Sequence, residues 1–117
     1  MPEKFLDDTR SRLRDFAHER DWEQFHSPKN LSMALAAEAG ELMEHFQWLS
    51  EGASYELDAK TRADVELEIA DVMLYLIRIA DRLDIDIPNA VSRKLAINDS
   101  KYPKDLVRGS AKKYTEY

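Results

Sequence analysis

The sequence predicts an all-α fold, and three observations support that prediction. Only three glycines and four prolines occur among the 117 residues, and long stretches between them are rich in Ala, Leu, Glu and Arg. The connections between these stretches are short, as in a helical bundle. One stretch also repeats apolar residues at alternating spacings of four and three, which is the period of a buried helix face. Its members are Val65, Ile69, Val72, Leu76, Ile79 and Leu83.

Apolar periodicity and end signals place four helices along the chain. Their approximate bounds are residues 3–20, residues 28–48, residues 59–83 and a short fourth helix that opens at Pro88. Asp58 is the expected N-cap of the third helix, because an aspartate at that position can accept a backbone N–H bond. Proline is tolerated in a first helical turn, which suits Pro88. The sequence therefore predicts a four-helix bundle.

Composition narrows the class of protein. The net charge of −6 argues against binding a nucleic-acid polymer, which requires a basic surface. The chain has no cysteine, so a disulfide framework and a zinc–thiolate site are excluded. No apolar stretch approaches the roughly 20 residues of a membrane span, and the first residues lack the apolar run of a signal peptide. We expect a cytoplasmic protein with no membrane partner.

Charge is distributed unevenly within the single domain that we expect over residues 1–117. Residues 87–117 carry seven Lys and Arg against three acids, whereas residues 1–86 carry ten against twenty. We therefore divide the domain into a helical bundle, residues 1–100, and a basic tail, residues 101–117. The tail could contact a phosphorylated ligand, but a solvated tail would have the same composition.

Two acidic pairs stand within the apolar helices. Glu38 and Glu41 lie three positions apart on the second helix, and Glu68 and Asp71 have the same spacing on the third. Side chains three apart on a helix point in nearly the same direction, so each pair presents two carboxylates together. Glu38 also falls on the stripe of leucines that runs along the second helix. A carboxylate in such a position is costly unless its charge is compensated.

Four converging carboxylates would either take up protons or bind cations. An all-oxygen set favours Mg²⁺, with Mn²⁺ as a substitute, and such ions support phosphoryl chemistry. Three alternatives remain open from spacing alone: solvent-facing or salt-bridged helix acids, a non-catalytic helical interaction module, and a di-iron carboxylate protein. The di-iron alternative is disfavoured, since its Glu-x-x-His motif would need histidine where Glu41 and Asp71 stand.

The third helix leaves one narrow polar line on an otherwise apolar surface. The line consists of Asp64, Glu68, Asp71, Tyr75, Arg78 and Arg82. It is either the solvent face or the lining of a site. So much apolar surface on one helix of a short chain predicts packing between subunits.

Several motifs together resemble the all-α MazG-type nucleotide pyrophosphohydrolases, in particular their dCTP pyrophosphatase branch. The resemblance covers roughly residues 10–117 and is carried by the two acidic pairs, Arg-Asp-Trp-Glu-Gln-Phe-His at 20–26, Pro-Lys-Asn-Leu at 28–31, Phe-Gln-Trp at 46–48, Asp-Val-x-x-Tyr-Leu at 71–76, Ile-Asn at 97–98, Lys-Tyr-Pro at 101–103 and Lys-Tyr-Thr-Glu at 113–116. It implies Mg²⁺-dependent hydrolysis of a deoxynucleoside triphosphate, dCTP or a modified dCTP, to the monophosphate and pyrophosphate. Such an enzyme would remove unwanted nucleotides from the nucleotide pool.

The resemblance also implies roles for individual residues and a homotetramer. The metal ligands would be Glu38, Glu41, Glu68 and Asp71, with Glu41 orienting or deprotonating the attacking water and Glu38 assisting as a second catalytic acid. The residues implied to bind substrate are Trp22, His26, Trp48, Tyr75, Asn98, Lys101 and Tyr102, with Lys113 as a further tail residue that could reach phosphates. From the residues alone, Trp22 could instead cap the core and His26 could be structural.

Overall fold

The computed structural model describes residues 2–110 of the chain, and all of its regular structure there is helical. The α-helices are α1 (Pro2–Glu19), α2 (Pro28–Glu44), α3 (Ala59–Arg82), α4 (Ile87–Lys101) and α5 (Lys104–Val107). Two 3₁₀ turns, Glu23–Phe25 and Ala53–Tyr55, lie in the connections. The all-α prediction is confirmed, but the four-helix count is not, because the short α5 follows α4. Lys113 and the rest of the tail beyond residue 110 lie outside the described residues.

Helices α2, α3 and α4 each begin at a side chain that accepts a backbone N–H from the first turn. The caps are Ser27 on Asn30 N (3.1 Å), Asp58 on Thr61 N (2.7 Å) and Asp86 on Asn89 N (3.0 Å). Each cap satisfies one of the donors that a helix start leaves without an intrahelical partner. The N-cap predicted at Asp58 is confirmed.

Helix α2 ends earlier than the sequence predicts, at Glu44 instead of about Trp48. The N–H of His45 bonds to Leu42 O, and that of Phe46 bonds to Met43 O at 2.9 Å. These are three-residue spacings, so the chain tightens into turns there, although the N–H of Gln47 still bonds to Met43 O at 2.9 Å with the four-residue spacing of an α-helix. Helix α4 also differs, since it extends over 15 residues where a short helix was predicted.

The chain divides into two compact units, Met1–Asp84 and Ile85–Tyr117. In the first, α3 packs against both α2 and α1. Its buried apolar side chains are Ala17, Leu31, Val65, Ile77 and Ala80. The described part of the second unit contains α4 and α5. The apolar spacing of Ile87, Val91 and Leu95 predicts an inner side of α4, but Val91 is 50% and Leu95 60% exposed. A single domain over residues 1–117 stays a prediction.

The core stripe predicted for α3 is wrong in its middle and at its end. Ile69, Leu76 and Leu83 are 52%, 45% and 51% exposed. The reason is the orientation of the helix, which turns the side bearing Glu68 toward α2 and leaves much of the apolar stripe outside. Within residues 2–110, no helix is both long and apolar enough to cross a bilayer.

Candidate active site

Helices α2 and α3 bring three carboxylates together. Glu38 and Glu41 come from α2 and Glu68 from α3, and one oxygen of each lies within 4.8 Å of the others. Glu38 and Glu68 are half-buried between the helices, whereas Glu41 is exposed. The three-residue spacing on α2 and the packing of α2 against α3 are together sufficient to produce this convergence.

Two oxygens of the cluster have no partner. Glu38 Oε2 and Glu68 Oε2 are buried, and neither forms a hydrogen bond with any of the described residues. Burial raises the pKa of Glu38 to about 7, with contributions from the contacts with Glu68 and Glu41. Burial also raises the pKa of Glu68, and the negative charge of Glu41 acts in the same direction. Without a cation, Glu38 and Glu68 therefore take up protons more readily than isolated carboxylates do.

The donor set fits a hard divalent cation. The closely spaced atoms are all carboxylate oxygens, which are the ligands that Mg²⁺ and Mn²⁺ prefer. The two unpartnered oxygens provide free acceptor capacity at the point of convergence. A bound cation would remove both the repulsion among the carboxylates and their unsatisfied burial.

Asp71, the fourth predicted metal ligand, lies one turn along α3 from Glu68 and is half-buried. Its charge contributes to the raised pKa of Glu38 and of Glu68. Asp71 also lines a cavity of about 520 Å³ between α1, α3 and the connection that precedes α2. The other lining residues are Thr9, Arg12, Leu13, Phe16, Trp22, His26, Leu31, Leu74, Tyr75 and Arg78. Among the described residues, the oxygens that converge within 4.8 Å are those of Glu38, Glu41 and Glu68, so Asp71 lies outside that group and lines the neighbouring cavity.

Aromatic rings form much of the cavity wall. Phe16 and Trp22 meet edge to face with their centroids 5.6 Å apart, and Trp22 meets the ring of His26 in the same manner at 6.3 Å. Tyr75 lines the cavity from α3. A wall of this kind can hold a flat heterocycle by stacking and edge contacts. The volume is within the range of small-molecule sites.

A network of charged side chains contacts His26, one of the rings of this wall. Arg78, which is only 5% exposed, donates from Nε to His26 Nδ1 at 3.2 Å and from Nη1 to Asp81 Oδ2 at 3.2 Å. Asp81 also receives two hydrogen bonds from Arg14 on α1. The hydrogen bond from Arg14 is the largest cause that holds the pKa of Asp81 below its ordinary value.

The sequence places Arg78 on the polar line of α3, which is predicted to be either the solvent face or the lining of a site, but it indicates no individual role for Arg78. Its position one turn beyond Tyr75 was the available signal, because side chains three apart share a face. The contributions of Thr9 and Arg12 from α1 were also missed. Phe16 belongs to the side of α1 that the apolar pattern predicts to be buried, but the pattern does not show that this side lines a cavity.

The remaining predicted substrate-binding residues are not among those that line the cavity. Trp48 is 88% exposed in the turns after α2. Asn98 and Lys101 belong to α4 and Tyr102 is its C-cap residue, all within the second compact unit. Their participation in the site stays a prediction.

Comparison with known proteins agrees with this geometry. The model of the MazG-like family matches residues 33–117, a range that contains all four acids. The chain is 48% identical over 117 residues to dCTP pyrophosphatase 1 of Rattus norvegicus and 46% identical to dCTP pyrophosphatase 1 of Homo sapiens. Each alignment covers 98% of this chain and 69% of the relative.

A solved structure is similar in fold as well as in sequence. The crystal structure of a pyrophosphatase from Archaeoglobus fulgidus superposes with a TM-score of 0.76 at 40% identity. The match covers 87% of this chain and 92% of that protein. The resemblance predicted from the motifs is confirmed.

Proposed function

This chain belongs to the MazG-like family, and we propose that it is a nucleoside triphosphate pyrophosphohydrolase that converts dCTP or a modified dCTP to the monophosphate and pyrophosphate. The observation that carries this proposal is the convergence of three carboxylates beside an aromatic-walled cavity. It occurs in a chain 48% identical to a protein named dCTP pyrophosphatase 1. The proposed role is removal of unwanted nucleotides from the pool, in the cytoplasm.

Mg²⁺ is the proposed cofactor, with Mn²⁺ as a substitute. Glu38, Glu41 and Glu68 would hold it, with Asp71 completing the set from the next turn of α3. When bound, the ion neutralises triphosphate oxygens and acidifies a water. The unpartnered oxygens of Glu38 and Glu68 support this assignment, because a buried carboxylate oxygen with no donor requires some other compensation.

Glu41 is the residue that we assign to the attacking water. It is the exposed member of the three converging acids, so a water from bulk solvent can reach its carboxylate. There it orients the water and accepts its proton, as a general base requires. Glu38 assists from the half-buried position beside it, where its charge helps to keep the water in place.

The base of the nucleotide is assigned to the cavity, where Trp22 and Tyr75 provide aromatic surface and His26 a polar edge. Asp71 lines the cavity and lies one turn of α3 from Glu68, which supports a triphosphate at the acids and a base in the cavity as parts of one molecule. Trp48, Asn98, Lys101 and Tyr102 remain proposed contacts on the strength of the family resemblance.

A homotetramer is the proposed assembly. Large apolar side chains on α2 and α3 are exposed on the single chain: Met33 at 61%, Met43 at 58%, Leu67 at 68%, Ile69 at 52% and Met73 at 45%. Monomeric proteins rarely leave so many large apolar groups in water, whereas symmetric subunit packing covers them. Sedimentation of the wild type and of Met73→Glu tests this, and the variant should shift to smaller species.

Pyrophosphate release over a panel of nucleotides tests the activity. The panel contains dCTP, 5-methyl-dCTP, dTTP, dATP and dGTP, each with and without Mg²⁺. We expect cytosine nucleotides to be turned over fastest and turnover to require the metal. A ranking that places both cytosine nucleotides low would overturn the substrate assignment. The absence of release from every nucleotide would favour the alternative, a non-catalytic helical interaction module.

A further inference from the structure

His26 is held from two sides by consecutive turns of α3. Arg78 Nε lies 3.2 Å from His26 Nδ1, and Arg82 Nε donates to the backbone oxygen of His26 at 3.1 Å. The preceding carbonyl, that of Phe25, accepts from Asn30 Nδ2 at 3.0 Å. The imidazole therefore has a fixed position at the edge of the cavity that it lines together with Trp22.

The contact with Arg78 determines which ring nitrogen carries the proton. A guanidinium has only donors, so the bond to Nδ1 requires a lone pair on that nitrogen. A neutral imidazole with a free Nδ1 lone pair carries its proton on Nε2, and an imidazolium could not accept this bond at all. Within the described residues, Nε2 has no hydrogen-bond partner of its own.

Arg78 is itself oriented by the buried network behind it. Its side chain is almost fully buried and is held by Asp81, which Arg14 holds in turn from α1. The guanidinium thus cannot swing away to offer His26 a different contact. From this geometry we propose that Arg78 is a positioning residue that locks His26 as the neutral Nε2–H tautomer, so that His26 donates a hydrogen bond to an acceptor on the base of the bound nucleotide.

The charges around His26 favour the neutral ring. Burial is the first cause that lowers the pKa of His26, and the positive charges of Arg78 and Arg82 lower it further. Glu23 is the acid that opposes them. Cytosine offers O2 and N3 as acceptors on its pairing edge, and either suits an N–H donor. The donor role rests on the proposed function, but the tautomer does not.

Nitrogen NMR of the whole protein labelled in its histidines tests the tautomer directly. The chain has three histidines, and the signals of His26 are those that disappear in His26→Gln. At about pH 8, where an ordinary imidazole is neutral, we expect the Nε2–H pattern. In Arg78→Lys, the pattern should become an average of the two tautomers. An Nδ1–H pattern or an averaged pattern in the wild type would overturn the proposal, whether or not Arg78→Lys folds.

Two replacements of His26 test the roles of its two ring nitrogens separately. The asparagine amide lies at the level of Nδ1 and can accept from Arg78, whereas the glutamine amide reaches the level of Nε2 and can donate to a ligand. With dCTP, we expect His26→Asn to raise KM about tenfold and to change kcat less than about threefold. His26→Gln should raise KM less than about threefold. An unchanged KM in His26→Asn, or an equal loss in both variants, would overturn the donor role.

His18→Gln is the matched control, because His18 is an exposed histidine that pairs with Glu23 at 3.0 Å and does not line this cavity. Its KM should equal that of the wild type. Failure of the proposed function is distinguishable from failure of this inference. If the wild type hydrolyses no nucleotide, the function fails while the NMR spectrum still decides the tautomer. If the wild type hydrolyses dCTP with the other tautomer, the inference alone fails.

Discussion

Helix α3 carries two carboxylates in opposite circumstances. Glu68 faces Glu38 and Glu41, and its buried Oε2 has no donor among the described residues. Asp81, three turns or so further along, has a side chain only 5% exposed but is bonded to Arg14 and Arg78. Burial raises the pKa of Glu68, whereas the bond from Arg14 lowers that of Asp81.

The difference shows where the fold supplies a counter-charge and where it leaves one out. Removing a carboxylate from water is costly in both places. At Asp81 the chain itself offsets that cost with three guanidinium groups, those of Arg10, Arg14 and Arg78. Among the described residues, no arginine or lysine pairs with Glu68, and like charges are brought together instead. Asp81 is therefore part of the scaffold, whereas Glu68 suits the proposed role of binding a cation from solution.

Glu68→Gln gives the largest expected effect, on activity. The change keeps the shape of the side chain but removes one charged ligand, so pyrophosphate release from dCTP should fall by about 100-fold or more. Folding should be preserved, since the change relieves repulsion with Glu41 and Asp71. The matched control is Glu66→Gln, which alters an exposed acid of α3 that pairs with Arg62. A Glu68→Gln enzyme with nearly wild-type turnover would remove Glu68 from the metal site.

Asp81→Asn gives the largest expected effect on stability. It leaves the buried guanidinium of Arg78 without its carboxylate, and breaking a buried pair from one side costs about 3 kcal/mol in the free energy of unfolding. Asp8→Asn is the control, because that aspartate also pairs with a cation, Lys4, but its side chain is 61% exposed. The control should cost less than about 1 kcal/mol in urea unfolding. Equal losses in both variants would mean that the Asp81 network is no more than surface charge.

In the metal-free protein, the contributions of Glu38 and Asp81 to stability should change with pH in opposite directions. Glu38 in the cluster has a pKa of about 7 in the folded state against 4.5 as its ordinary value, so the folded state binds more protons between these values. Its contribution to stability is therefore full below about pH 4.5 and is lost as pH rises through about 7. Asp81, with its lowered pKa, contributes stability above its ordinary value and loses it as pH falls.

Thermal unfolding of the wild type and of Glu38→Gln tests this sign. Between about pH 5 and about pH 8, the wild-type Tm should decline relative to that of the variant. Saturating Mg²⁺ should reverse the wild-type trend, since the deprotonated carboxylates are the ones that bind a cation. If the Tm of the wild type changed with pH in the same way as that of the variant, with or without Mg²⁺, the raised pKa assigned to Glu38 would be contradicted.

The two regions also differ in what the sequence alone could predict. The acidic pairs depend on local spacing, and Glu38 interrupts a leucine stripe, so both are visible in the sequence before any helix is packed. The bond between Arg14 and Asp81 joins residues 67 apart in the chain and depends on the orientation of α1 against α3. Period and propensity carry no information on that orientation.

The prediction of a continuous buried stripe on α3 was wrong for a related reason. A repeat of fours and threes identifies an apolar face, but it does not say whether the face meets another helix of the same chain or another molecule. Ile69 and Leu76 satisfy the repeat and are about half exposed on the single chain. The end of α2 was misplaced because Phe46 and Trp48 continue the apolar pattern while the backbone already turns with three-residue bonds.

Asp58 provides a third environment and the smallest expected effect. It is an exposed carboxylate whose Oδ1 accepts from Thr61 N at 2.7 Å, and that backbone bond is the first cause that lowers its pKa. Asp58→Ala should cost about 1 kcal/mol in urea unfolding, the usual value of an N-cap. Asp58→Ser, which keeps an accepting oxygen, should recover most of that loss.

Because a peptide N–H already satisfies the carboxylate of Asp58, the stabilisation by Mg²⁺ should be the same in Asp58→Ala as in the wild type. A loss of the Mg²⁺ effect there would mean that unpartnered oxygens are not what distinguishes the cluster on α2 and α3.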